Sequence, residues 1–193
     1  MRLFIALDIE NSIRERLERF MDGIRGFAPD ARWVRPESLH VTLKFIGEQP
    51  VQGVEKINQA LATVSGTRLE LAFAGYGFFP TTKAARVFWV GIQSGQELAT
   101  LAASIDTSMH QLGIPKEEHA FSPHLTLARG NSGSPRWKKE DAPTLKFSRL
   151  QEKLASMPAP EFGTMTSHEF HLFESTLSPG GTKYSKLRSF ALL

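Results

Sequence analysis

The chain has no cysteine among its 193 residues. That excludes a disulfide framework, a thiolate nucleophile and a cysteine-based zinc site, and it suits a reducing compartment. Long apolar runs are also missing: no window approaches the roughly 18 apolar residues of a membrane span. The opening MRLFIALDIE is too short in its apolar stretch for a signal segment and is closed by Asp8 and Glu10. The expectation is a soluble, cytoplasmic protein. Charge of one sign is scarce as well, since 23 Lys+Arg against 20 Asp+Glu leave a net charge of +3. This is a slight lean toward polyanions and no more. No P-loop, G-x-G-x-x-G or G-x-S-x-G elbow is present. GYG at 75–77 and GNSGS at 130–134 lack the flanks of phosphate cradles and read as turns.

What is present is an ordinary globular balance, 41% hydrophobic and 22% charged, in a length suited to one domain. RLFIALDI alternates as a strand. NSIRERLERFMDGI then sets Ile13, Leu17, Phe20, Met21 and Ile24 on one helical face, with Ser12 and Glu15 spaced as a capping box. A short strand, a turn marked by Pro36 and the strand SLHVTLKFIG follow; Val54, Ile57, Leu61 and Val64 mark a second helix. RLELAFAGYGFFP and ARVFWVGIQ are strands joined by PTTKA. Leu98, Leu101, Ala102, Ile105, Met109 and Leu112 carry a third helix, opened by a Ser94/Glu97 capping box and stopped at Gly113. HAFSPHLTLAR is the next strand, and 130–146 reads as a mobile basic loop without period. Ser148 and Gln151 cap a short helix through Met157, and SHEFHLFESTL and YSKLRSFAL close the chain around the turn SPGGTK.

A weak internal duplication shows in this order. Twice a strand and a helix lead into a strand with a His-x-Thr unit, and a helix follows. These units are His40/Thr42 and His124/Thr126. The predicted fold is α+β with mainly antiparallel sheets. We expect one bilobal domain over 1–193, with halves near 1–93 and 94–193 and terminal strands exchanged between lobes.

Residues i and i+2 of a strand share a face. His40, Thr42 and Lys44 therefore point one way, and Leu39, Val41, Leu43 and Phe45 the other, toward a core. Likewise His124 and Thr126 oppose Leu125 and Leu127. If the lobes are related by a pseudo-two-fold, the two polar faces meet across a cleft. Histidine gives and takes protons near neutrality, so a pair can act as acid and base, each transfer contributing ~10²–10⁴-fold. Threonine hydroxyls donate to the non-bridging oxygens of a phosphate. In-line displacement at phosphorus needs a proton removed on one side and delivered on the other, and two opposed histidines meet that need. Neither unit has the partner spacing of a zinc site. His110, His119, His168 and His171 read as structural or solvated, the last two lying on opposite faces of one strand.

HVTL at 40–43 and HLTL at 124–127 resemble the paired HxTx motifs of the 2H phosphoesterase superfamily. RLFIALDI, WVRPESLHVTLKFIGE, FSPHLTLAR and HLFESTLSPGGTKYSKLRSFAL look like its RNA 2′,3′-cyclic phosphodiesterase branch, also called 2′-5′ RNA ligase. The resemblance runs over the whole chain. It implies a bilobal 2H phosphoesterase fold, two pseudo-symmetric lobes with outer helices and a central cleft. It also implies hydrolysis of RNA ends bearing a 2′,3′-cyclic phosphate to a 2′-phosphomonoester, with no metal or cofactor. Carried over, His40 is the proton donor and His124 the proton acceptor, with Thr42, Thr126 and Arg129 as substrate-binding residues. Strict alternation turns Arg129 away from the cleft unless the strand ends or bulges near Ala128, which Gly130 permits. Phe4 reads as core rather than as a base stack, and Trp137 as exposed. Ligation through a 2′-5′ linkage and non-catalytic binding of RNA ends through the 130–146 loop are the alternative readings. The expected protein is a monomer that does not engage membranes.

Overall fold

In a computed structural model, which describes residues 1–130, 146–179 and 181–193, the alternating apolar segments form two curled antiparallel sheets. The elements in chain order are β1 (Arg2–Leu7), α1 (Asn11–Ile24), β2 (Ala31–Trp33), β3 (Val41–Glu48), α2 (Val54–Ala62), β4 (Leu69–Phe79), β5 (Val87–Ser94) and α3 (Gln96–Gln111). There follow β6 (His124–Gly130), α4 (Ser148–Ala155), β7 (Glu161–Ser167), β8 (Glu169–Ser178) and β9 (Gly181–Ala191). Residues 131–145, with most of the basic loop and Trp137, lie outside the described residues.

One sheet has the order β3-β1-β8-β9 and the other β2-β6-β5-β4-β7, every pair antiparallel. This is the α+β class the sequence predicts. Both sheets take strands from the early and late parts of the chain. The polypeptide crosses between the sheets four times, most briefly at residues 34–40, between β2 and β3, and at His168, between β7 and β8. Val34 N–H donates to Leu127 O at 2.8 Å, extending the β2–β6 pairing into the connection from β2 to β3.

The helices cover the sheets with the faces that their periodicity marks. Ile13, Leu17, Met21 and Ile24 of α1 are buried. The helix meets β7, where Phe20 lies edge-on to Phe162 with centroids 5.0 Å apart and Arg16 Nη1 donates to Phe162 O at 3.0 Å. Leu98, Leu101, Ala102, Ile105 and Met109 of α3 are buried, and α3 packs on β3. One contiguous apolar core joins both sheets and the helices. Among the described residues no helix is long and apolar enough to cross a membrane.

Several local expectations are corrected. The capping boxes do not form: α1, α3 and α4 are preceded by Glu10, Gly95 and Phe147, none with a side-chain capping bond. Gln151 instead donates to Thr82 O at 2.7 Å. Residues 119–123 are not strand, and β6 begins only at His124. Strand β7 was hidden by its own sequence, EFGTMTS, which follows two prolines and has glycine inside the strand. Gly163 adopts φ +105, and a Cβ there would stand 2.5 Å from Arg16 Nη1. Gly163→Ala is therefore expected to destabilise the fold by about 1–3 kcal/mol, read as a lower denaturant midpoint with an unchanged slope.

Candidate active site

Each histidine enters its strand in the same way. His40 immediately precedes β3, and its Nδ1 lies 2.7 Å from Ser38 O. His124 opens β6, and its Nδ1 lies 2.7 Å from Ser122 O. A carbonyl only accepts, so in both rings Nδ1 carries the hydrogen and donates. Nε2 is thereby left in each ring to take or give a proton. The repeat is thus longer than His-x-Thr: it reads S-x-H-x-T-L in both copies, SLHVTL and SPHLTL. The serine two residues before each histidine was the signal that a shared main-chain anchor exists.

Just past each threonine, the two-residue period breaks at the same point. In β3, Thr42 pairs with Ala6 but Lys44 with Ile5, leaving Leu43 as an extra residue. In β6, Thr126 pairs with Trp89 but Ala128 with Phe88, leaving Leu127 extra. Two successive side chains then turn inward, Leu43 with Lys44 and Leu127 with Ala128, all buried. The next residue returns to the threonine's face. That residue is Phe45 in the first copy, 57% exposed, and Arg129 in the second. Arg129 opposes Val87, two residues from Trp89 on the face that Thr126 shares. The bulge that alternation required for Arg129 is present. Lys44 and Phe45 correspondingly exchange the faces that alternation assigned them: Lys44 is buried and paired with Asp106, Nζ to Oδ1 2.6 Å.

Aromatic rings surround both imidazoles. Phe4 lies 4.7 Å from the His40 ring centroid, and Tyr184 meets that ring edge-on at 5.1 Å. Phe4 itself is buried and stacked on Phe173 at 5.2 Å, in keeping with its core reading. Phe79 meets the His124 ring edge-on at 4.9 Å, with Trp89 at 6.1 Å. This partial desolvation is the main reason both imidazolium pKa values fall below the ordinary histidine value; the bonds to Ser38 O and Ser122 O oppose it. The positive charge of Arg129 lowers both histidines, whereas the carboxylate of Asp8 raises His40. The same guanidinium thus acts on both rings, and β3 and β6 pack against each other.

The first sheet adds a second titratable group that the sequence gave no reason to single out. The pairings run Thr42, Ala6, His171, Ser189 across one row and Phe45, Phe4, Phe173, Lys186 across the next. His171 therefore shares the face of Thr42 but is itself buried. Its Nδ1 lies 2.8 Å from Ser189 Oγ, and its Nε2 is 3.7 Å from Asp8 and 3.8 Å from Glu169. Burial and the Lys186 cation lower its pKa, against the two carboxylates. Lys186 Nζ also donates to Asp8 Oδ2, tying this group to the carboxylate that acts on His40. Among the described residues no three His, Cys, Asp or Glu side chains converge as a metal site.

Comparison with known proteins adds an independent line. A family model described as LigT-like phosphoesterase matches the chain twice, over residues 7–89 and 90–184, each segment containing one His-x-Thr unit. The RNA 2′,3′-cyclic phosphodiesterase of Archaeoglobus fulgidus is 32% identical over 98% of this chain and 99% of its own length. That of Aquifex aeolicus is 30% identical over 100% and 97%. The crystal structure of TT0787 of Thermus thermophilus superposes with a TM-score of 0.77 at 27% identity, covering 100% of this chain and 98% of that one. Escherichia coli LigT complexed with 3′-AMP gives 0.77 at 25% identity, covering 99% and 97%.

The electrostatic arrangement can be checked without any substrate. In an NMR titration of the histidines, Arg129→Met removes a cation that opposes both imidazoliums, so both pKa values are expected to rise. Asp8→Asn removes the carboxylate that favours the His40 imidazolium, so His40 is expected to fall while His124 stays in place. An unmoved His40 in Arg129→Met would separate the guanidinium from that ring.

Proposed function

The chain belongs to the LigT-like phosphoesterase family, and from that premise we propose that it hydrolyses the terminal 2′,3′-cyclic phosphate of RNA to a 2′-phosphomonoester, without a metal. The observation that carries the reading is the doubled arm: two histidines with Nδ1 locked by a carbonyl and Nε2 free, influenced by one shared guanidinium. A second support comes from relatives of matching length that are RNA 2′,3′-cyclic phosphodiesterases.

In this reading the cyclic phosphate sits between the two Nε2 atoms. His124, neutral, takes a proton from a water molecule as its oxygen attacks phosphorus. His40, protonated, delivers a proton to the departing 3′ oxygen on the opposite side. The P–O3′ bond breaks as the new P–O bond forms, so the phosphate stays on O2′. Thr42 and Thr126 donate to the non-bridging oxygens, and Arg129 neutralises the charge that gathers there. The two histidines leave the reaction with their protonation states exchanged and are restored through solvent. Asp8 favours the protonated form of His40, the form from which a proton donor must start. The substrate is an RNA end in the cytoplasm, met by a monomer.

His40→Ala and His124→Ala are each expected to lower kcat ~10²–10⁴-fold on an oligonucleotide ending in a cyclic phosphate, and native turnover is expected to persist in EDTA. Full activity in the double alanine variant would overturn the reading. The kcat/KM profile reports the free enzyme and should be a bell. Its acid limb marks the base losing its proton, and its alkaline limb marks the acid losing its own. With both histidines lowered, the maximum is expected on the acid side of about 6.5.

Phe45 extends the reading to the nucleotide. It is an exposed aromatic ring on the face of Thr42, at the position Arg129 holds in the other copy. Stacking a base on an aromatic ring contributes about 1–3 kcal/mol. Phe45→Ala is accordingly expected to raise KM about 5- to 100-fold with kcat held, measured on the same oligonucleotide.

A further inference from the structure

Lys44 has no place on the cleft face, and its burial is costly. Its side chain is 1% exposed, and an ammonium leaves water at a penalty unless its hydrogens find acceptors. Three acceptors are present. Nζ donates to Asp106 Oδ1 at 2.6 Å and to Pro115 O at 2.9 Å, and Glu117 Oε1 lies 3.6 Å away. Asp106 Oδ1 also accepts the Glu117 amide at 3.2 Å. Burial alone would push the Asp106 carboxyl up. The hydrogen bonds from Lys44 and Glu117, and the charges of Lys44 and Lys116, outweigh it and hold the group below the usual carboxylate range.

These partners come from three places in the fold. Lys44 stands two residues beyond Thr42 on β3, and Asp106 is on α3. Pro115 and Glu117 belong to 112–123, the segment that leads into His124 and contains no helix or strand. Most of that segment is exposed; Ile114 is buried and Phe121 partly so. The arm before His40 is held in a related way. Arg14 Nη1 donates to Pro36 O at 2.6 Å and Nη2 to Ile9 O at 3.1 Å. In each arm a proline carbonyl upstream of the histidine is gripped by a cation from another element.

We propose that Lys44 is a positioning residue of the two-histidine site: its ammonium sets the segment that carries His124 against the strand that carries His40 and Thr42. It touches no reacting atom and acts through the backbone of Pro115 and Glu117. Small displacements of an acid relative to a base are costly in rate, which gives a buried lysine a use that a leucine of similar size lacks. The kinetic consequence rests on the two-histidine reading, whereas the structural coupling does not.

Lys44→Met alone strands the Asp106 charge, so its loss of stability says little. The informative protein is Lys44→Met/Asp106→Asn, which removes both charges. Its kcat on the cyclic-phosphate oligonucleotide is expected to fall about 10- to 100-fold, with KM within about twofold of native. In the NMR titration His124 is expected to move to lower pKa, as its bond to Ser122 O loosens, while His40 stays. Either a native kcat or an unmoved His124 titration in this variant overturns the proposal and leaves Lys44 a stabilising ion pair only. If the native protein turns over no cyclic-phosphate end, the two-histidine reading fails, and the titrations still decide the coupling.

Discussion

A strand that buries one face and works with the other is bound to a period of two, and this site depends on a break in that period. One extra residue after each threonine turns two neighbours inward and brings the next side chain back to the cleft. Without it, Arg129 would point into the core and Phe45 would be buried. The inward pair is Leu127 with Ala128 in one copy and Leu43 with Lys44 in the other. The copies therefore share a backbone device and differ in what it displays. One returns a cation and the other an aromatic ring, and that difference breaks the pseudo-symmetry of the two His-x-Thr units.

Electrostatics breaks it a second time. The two rings have the same hydrogen bond, similar aromatic surroundings and the same guanidinium nearby. Only His40 also feels Asp8, which is itself bonded to Lys186 and lies close to the buried His171. A histidine pair built by repetition would be two equal groups. The carboxylate that distinguishes the two surroundings comes from the residue that follows β1 rather than from either motif.

Much of this was legible in the sequence because period and spacing are local properties. The alternation around His40 and His124, the apolar faces of α1 and α3 and the α+β order all follow from residues a few positions apart. The doubled motif gave the family. What escaped reading depends on contacts distant in the chain. Lys44 sits on the polar face by count, and only pairing with β1 shows it facing Asp106, 62 residues away. Strand β7 is formed through its partner β4 and through α1, against a glycine and two prolines that argue for a loop. The surroundings of His171 are not legible locally because its neighbours, Asp8 and Ser189, lie at opposite ends of the chain. The capping boxes failed for a milder reason, since a spacing permits a bond without requiring it.

The path of the chain between the sheets bears on how freely they can move apart. Four connections cross between the sheets, and the two shortest are residues 34–40, which lead directly to His40, and the single residue His168 between the second sheet's edge strand β7 and β8 of the first. A jaw needs one hinge and a free rim. Here one seam runs into His40, so spreading the sheets would strain the very segment whose Ser38 carbonyl holds that ring. The two sheets are thus tied together close to the first histidine rather than hinged away from it.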